Sequence, residues 1–118
     1  TNEQIKNNIN NLLLSFRSKY NNHDLNMIGR YENDKYYNGH TWIICTLAMV
    51  QVYLYLGKIN NDNNYFCKAQ NIIYKLLSIN SNFDLSEQYN PNENVMLSAE
   101  KLTWNYSEFY FTNKKMNF

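Results

Sequence analysis

Apolar residues recur three and four positions apart over most of this chain, and the breaks in that rhythm divide it into four helical stretches. Ile5, Ile9, Leu12, Leu13 and Phe16 share one face of a first helix, expected from about Asn2 to Lys19, with Asn, Lys, Gln and Arg opposite. It ends in Tyr20-Asn21-Asn22-His23-Asp24, a run that favours turns, and His23 and Asp24 read as parts of a solvated turn. From Trp42 to Leu56 only Thr46 and Gln51 interrupt an apolar run, which predicts a helix that must be covered on every side. Gly57 is placed to end that helix, and the polar connection Asn60 to Asn64 contains Asp62 as a cap for the next. Tyr65, Phe66, Ala69, Ile72, Ile73, Leu76 and Leu77 then predict a third, amphipathic helix to about Ser78. Ser81, Asn82 and Asp84 break the pattern. The last helix is expected to take Ser98 as its N-cap, with Ala99 and Glu100 in the first turn and Leu102, Tyr106, Phe109 and Tyr110 on its apolar side.

No stretch shows the two-residue alternation of a half-buried strand, so the expected class is all-α, with about four helices in one unit spanning residues 1–118. Two polar loops stand out. The first, from Met27 to Trp42, is dense in aromatic and charged residues and carries the turn signal Asn38-Gly39. Within it Arg30 and Asp34 lie four apart and can pair with each other at the surface. The second follows Leu85 and places Glu87 at its mouth. Two such loops, each entering an apolar helix, predict helical hairpins stacked side by side with their loops at one end, where binding groups are usually mounted.

Composition narrows the picture. Hydrophobic residues make up 44% and charged residues 18%, enough apolar material for one small core. The net charge of +1 gives no electrostatic case for nucleic acid or an anionic membrane as a partner. The apolar run of about 15 residues falls short of the roughly 20 that span a bilayer. Cys45 and Cys67 lie in apolar-periodic segments without metal-ligand spacing, so buried free thiols are expected and no metal or cofactor. The abundance of asparagine reads as compositional drift in loops and on exposed faces.

Four ordered pieces carry a resemblance: Ser15 to Tyr20; Gly29-Arg30-Tyr31 through Asp34 to Tyr36-Tyr37-Asn38-Gly39 and Trp42; Cys45-Thr46-Leu47-Ala48; and Ser86-Glu87-Gln88-Tyr89 with Leu97-Ser98-Ala99 and Leu102-Thr103-Trp104-Asn105-Tyr106. In these the chain resembles the C-terminal part of the catalytic domain of fungal glucoamylases, glycoside hydrolase family 15, whose fold is an (α/α) barrel of six helical hairpins. The resemblance implies hydrolysis, with inversion, of terminal α-1,4-linked glucose from starch- or glycogen-type glucans or maltooligosaccharides. It implies Glu87 as the general base that deprotonates the attacking water, Arg30 and Asp34 as contacts to sugar hydroxyls, and Trp42 and Trp104 as aromatic positions of the pocket. It also suggests secretion or a vacuole-like compartment. An inverting site needs a second, protonated carboxyl roughly 6.5–9.5 Å from the base. The family's acidic, tryptophan-containing acid motif has no counterpart here, so the chain is expected to be an arc of the barrel that needs the remainder as its partner. The alternative is a non-catalytic glucan-binding or regulatory helical domain. Glu32 stands where the family usually has proline, and His40-Thr41 where it has Asn-Pro, so the Arg30 loop is less constrained by proline.

Overall fold

The computed structural model describes residues 1–17, 19–20, 26–79 and 82–116. His23, Asp24 and Ser81 lie outside the described residues. Among the described residues four α-helices dominate: α1 (Asn2–Arg17), α2 (Ile43–Asn60), α3 (Asn63–Ser78) and α4 (Thr103–Met116). The chain is mostly helical, compatible with the all-α expectation, and among the described residues there is also a small antiparallel sheet that the sequence did not predict. Its strands are β1 (Thr41–Trp42), β2 (Gln88–Asn90) and β3 (Val95–Leu97), in the order β1-β2-β3. Strands of two and three residues are too short to display an alternation.

The core forms around α2. Ile43, Leu47, Val50, Tyr53 and Leu56 are buried in it, joined by Ile9, Leu13 and Phe16 of α1 and by Ala69, Ile72, Ile73 and Leu76 of α3. Burying side chains of this size stabilises the fold by about 1.5–3 kcal/mol each before the entropy of ordering is subtracted. The α2 helix is longer than its apolar run predicts. By length and composition alone it could cross a membrane, and half of it is buried inside the fold.

Gly57 does not end it. The helix runs on to Asn60 and closes at Asn61, whose φ of 50° and ψ of 47° are left-handed. Gly57 instead faces α3, where an added Cβ would meet the Phe66 ring at 3.0 Å, so its place is set by close helix packing. Asp62 caps α3 as expected, accepting from the Asn64 N–H at 2.9 Å. Ser98 does not cap α4, which starts five residues later, and Tyr110 on that helix is 56% exposed. Cys67 is likewise exposed, against the expectation of a buried thiol, while Cys45 is partly buried; both are free.

Three main-chain contacts decide the loop joints. The Trp42 N–H donates to the Ile28 carbonyl at 2.9 Å, and the Ile43 N–H, first in α2, donates to the Glu87 carbonyl at 3.1 Å. The β1-β2 pairing sets Thr41 opposite Tyr89 and Trp42 opposite Gln88. The loops before α2 and α4 are thereby held at one end of the molecule.

Left-handed backbone is frequent in these joints. Asn33, Tyr37, Asn38, Asn61, Phe83, Asn94, Ser98 and Lys101 all have positive φ, as does Gly39.

Thr46 is the tether of the first loop. Its Oγ1 accepts from the Ile28 N–H at 3.2 Å and lies 3.3 Å from the Ile28 carbonyl, all of it buried. In Thr46→Val the carbonyl keeps the Trp42 N–H, but the buried Ile28 N–H loses its acceptor. Denaturant unfolding should show a loss of about 1–3 kcal/mol, the cost of one buried orphan donor; an unchanged midpoint would show that Thr46 holds nothing.

Candidate functional site

The strand pairing brings Arg30, Asp34, Trp42 and Glu87 to the N-terminal end of α2, and the start of α4 adds Trp104. Around Arg30 the groups interlock. Its Nε donates to Asp34 Oδ2 at 2.8 Å and its Nη2 to Oδ1 at 2.9 Å, while the Tyr36 N–H donates to Oδ1 at 3.0 Å. This is the pair the spacing predicted, but it is not a solvated one: the Asp34 side chain is only 2% exposed, against 34% for Arg30. A two-pronged contact of this kind is geometrically specific as well as charge-assisted. The guanidinium sits 4.3 Å from the centroid of Trp42, with Tyr31 and Tyr36 at 5.2 and 5.3 Å. Trp42 is itself buried, so it supports Arg30 and offers no open face.

Arg30 and its neighbours set the local electrostatics. Hydrogen bonds from the Arg30 guanidinium, then from the Tyr36 N–H, hold the Asp34 carboxyl below its usual range. The Asp34 hydrogen bond, and more weakly the charge of Glu87, hold Arg30 even more firmly protonated. Asp34 thus has both oxygens engaged, and the free donors of this pair belong to Arg30.

Glu87 leads into β2. Its N–H donates to the Ala99 carbonyl at 2.8 Å and its carbonyl accepts from Ile43, so the backbone on either side of its Cα is fixed. Its Oε2 accepts from Ser98 Oγ. Ser98 lies 3.1 Å from the Tyr36 hydroxyl. With the Ser98 proton given to Glu87, Tyr36 is the donor to Ser98, and a chain of three groups runs from Tyr36 to the carboxylate. The left-handed φ of 68° at Ser98 aims the residue at Glu87 instead of at the α4 amides.

Sequence reasoning named the motif around Gln88 but gave that residue no task. It is fully buried, accepts from the His40 N–H at 3.1 Å and lies 3.4 Å from the Tyr36 carbonyl, so it stitches the first loop to β2. Asn105, also fully buried, donates to the Ser86 carbonyl at 2.8 Å and fastens α4 to the residue before Glu87. A polar residue on the inward face of a helix was the available signal for Asn105. At the far side of the first loop, Lys19 Nζ donates to the carbonyls of Asn38 and Gly39, and the Tyr20 hydroxyl lies 3.1 Å from His40 Nδ1. Burial pushes Tyr20 up to about 12, and burial, then the nearby Lys19 charge, lowers His40.

Glu87 opens onto a cleft of about 620 Å³ lined also by Leu102, Thr103, Trp104, Ser107 and Glu108. Trp104 is 48% exposed there and presents an aromatic surface beside a carboxylate. The Glu108 carboxylate accepts from Gln51 Nε2 at 3.1 Å. Among the described residues, no group of three or more His, Cys, Asp and Glu could hold a metal ion. No family model matches the chain.

Two predictions follow from this geometry. Gly39 has a φ of +61°, and a Cβ there would lie 2.1 Å from the Asp34 carbonyl oxygen, so Gly39→Ala should lower thermal stability by about 1–3 kcal/mol and disorder the Arg30 loop in amide exchange. For pH, both Asp34 and His40 have lowered values in the fold, so the unfolded chain binds more protons in each window and stability falls with falling pH. The His40 contribution is whole above its ordinary 6.5 and is lost below it; that of Asp34 is whole above its ordinary 3.8 and is lost as pH drops through its lower folded value. Urea midpoints from pH 8 to 3 should decline in two stages, with the acid stage absent in Asp34→Asn.

Proposed function

We propose that this chain is the general-base part of a glucoamylase-like glycoside hydrolase that releases glucose from the ends of α-1,4-glucans. The observation that carries the reading is the meeting of Glu87, held by Ser98, with the exposed Trp104 in one cleft. Arg30 is close enough to feel the Glu87 charge, and it keeps donors beyond those given to Asp34. An inverting hydrolase needs an ionised carboxylate with one oxygen oriented and the other open to water, an aromatic face for a pyranose, and a fixed cation to orient hydroxyls. In this reading Glu87 takes the proton of the water as it attacks the anomeric carbon, Trp104 packs against the sugar, and Arg30 donates to a hydroxyl while Asp34 holds it in place. Trp42 acts from beneath, through Arg30.

In this reading the proton for the leaving oxygen comes from a carboxylic acid of the rest of the barrel, since Asp34 is committed to Arg30 and Glu108 to Gln51. The helices are then an arc of an (α/α) barrel, and the rest of that barrel is the partner. A second reading keeps the cleft and omits the chemistry: a glucan-binding or regulatory domain, favoured by the engagement of Glu108, the other carboxylate of the cleft, with Gln51.

Glucose release from maltoheptaose by the chain alone, and by a form extended upstream, separates the two. The catalytic reading expects release only from the extended form, and a drop on the order of 10²–10⁴ in Glu87→Gln. Calorimetric binding of maltoheptaose without release from either form supports the binding domain. Neither binding nor release would end both readings.

A further inference from the structure

The segment that follows α1 holds the Arg30 loop by its last turn, and the fastening contains the one histidine among the described residues. Lys19 Nζ donates to the carbonyls of Asn38 and Gly39, the two residues before His40. The Tyr20 hydroxyl, on a residue only 3% exposed, lies 3.1 Å from His40 Nδ1, and the two rings stack with centroids 6.0 Å apart. On its other side His40 gives its N–H to Gln88 Oε1. The start of the loop is packed into the same place, since a Cβ at Gly29 would lie 2.7 Å from the Phe16 ring and 2.9 Å from the His40 carbonyl oxygen.

The direction of the Tyr20 hydrogen bond follows from its neighbours. The Thr41 N–H donates to the Tyr20 oxygen, so the phenolic proton is left for His40, whose Nδ1 accepts it and is therefore unprotonated. A second proton on the imidazole reverses this bond. Nδ1 then donates, and the buried Tyr20 proton loses its acceptor, which costs a group removed from water its full desolvation. The same proton sets an imidazolium beside the Lys19 ammonium. Among the described residues His40 faces Lys19 and Tyr20 beyond α1, the neutral Gln88 on β2, and Glu93 between β2 and β3, whose charge works the other way. Burial, then the Lys19 charge, outweighs Glu93 and holds His40 below its ordinary 6.5.

We propose that His40 is a proton-operated latch on the Arg30 loop: neutral, it fastens residues 29–40 to the segment after α1, and protonated, it lets them open while the helical core stays closed. The two ends of the loop stay pinned, because Ile28 is tied to Thr46 and Trp42 pairs with Gln88 in the sheet. What opens between them carries Arg30 and Asp34, so acid brings that pair into water. The latch does not depend on the glycosidase reading, and its test contains no glucan.

The test follows amide hydrogen exchange by NMR in the whole chain, with rates corrected for the intrinsic effect of pH. The reporters are Tyr36, Asn38 and His40, whose N–H groups donate to Asp34, to the Lys35 carbonyl and to Gln88. An opening that takes up one proton at the ordinary histidine value becomes about tenfold more frequent between pH 7.5 and 5.5. Asp34, held below its ordinary 3.8, keeps its charge over that range. The reporters should show the rise, with Val50 of α2 and Ile72 of α3 unchanged. His40→Asn, which keeps an acceptor near the place of Nδ1 and takes up no proton, should hold its pH 7.5 rates at pH 5.5. Tyr20→Phe removes the donor, so its loop should open more often at pH 7.5 and gain less on acidification. His23→Gln should keep the response of the natural chain. An equal rise in His40→Asn, an undiminished response in Tyr20→Phe, loss of the response in His23→Gln, or parallel opening at Val50 and Ile72 would overturn the proposal.

Discussion

A helix as apolar as α2 needs cover over much of its circumference, and that demand organises the rest of the molecule. Helices α1 and α3 bring their single apolar faces to it, and α4 lies along another side through Gln51, Glu108 and Thr112. The same demand fixes the site. The N-terminal N–H groups of a helix lack partners within it, and the first of these in α2 is satisfied by the carbonyl of Glu87. Core burial and the placing of the carboxylate thus share one joint.

Around that joint the polar groups form a graded arrangement. Asp34 is buried and fully engaged, Arg30 is half inside on a bed of aromatic rings, and Glu87 and Trp104 face the cleft. The innermost member acts only by holding the next. Charge-assisted hydrogen bonds shielded from water are the strongest available for such a task, which accounts for the aromatic cover over the ion pair. Tyr36 links the halves, since its N–H serves Asp34 and its hydroxyl serves the Ser98 that holds Glu87.

Much of this was legible in the order of residues. Three-and-four periodicity located all four helices, Asp62 announced its cap, and Asn38-Gly39 announced the left-handed turn. What was hidden had physical causes. Gly57 looked like a terminator because glycine at a helix end and glycine under a packed ring are the same letter. Ser98 looked like an N-cap because its hydroxyl can serve an amide or a carboxylate, and only the strand pairing decides between them. The sheet was illegible because its strands are fixed by register with distant residues, not by local preference. Burial of Trp42 and exposure of Trp104 depend on which loop lies above each, a matter of long-range contact. Reading the residues in order singled out the loops of Arg30 and Glu87, yet the support given by Gln88 and Asn105 came only with the fold.

The left-handed joints give the asparagine content a meaning that drift does not. Among the described residues eight non-glycine residues have positive φ, and four of them are asparagines: Asn33, Asn38, Asn61 and Asn94. Asparagine tolerates that conformation through local hydrogen bonds of its short amide, and unlike glycine it keeps a Cβ that restricts the unfolded chain. Each such position forfeits less freedom on folding than a glycine would, by an amount on the order of 0.4–1 kcal/mol. With only three glycines in the chain, its tight corners are built from a residue that leaves the denatured ensemble smaller, so part of the order in the loops is prepared before folding begins.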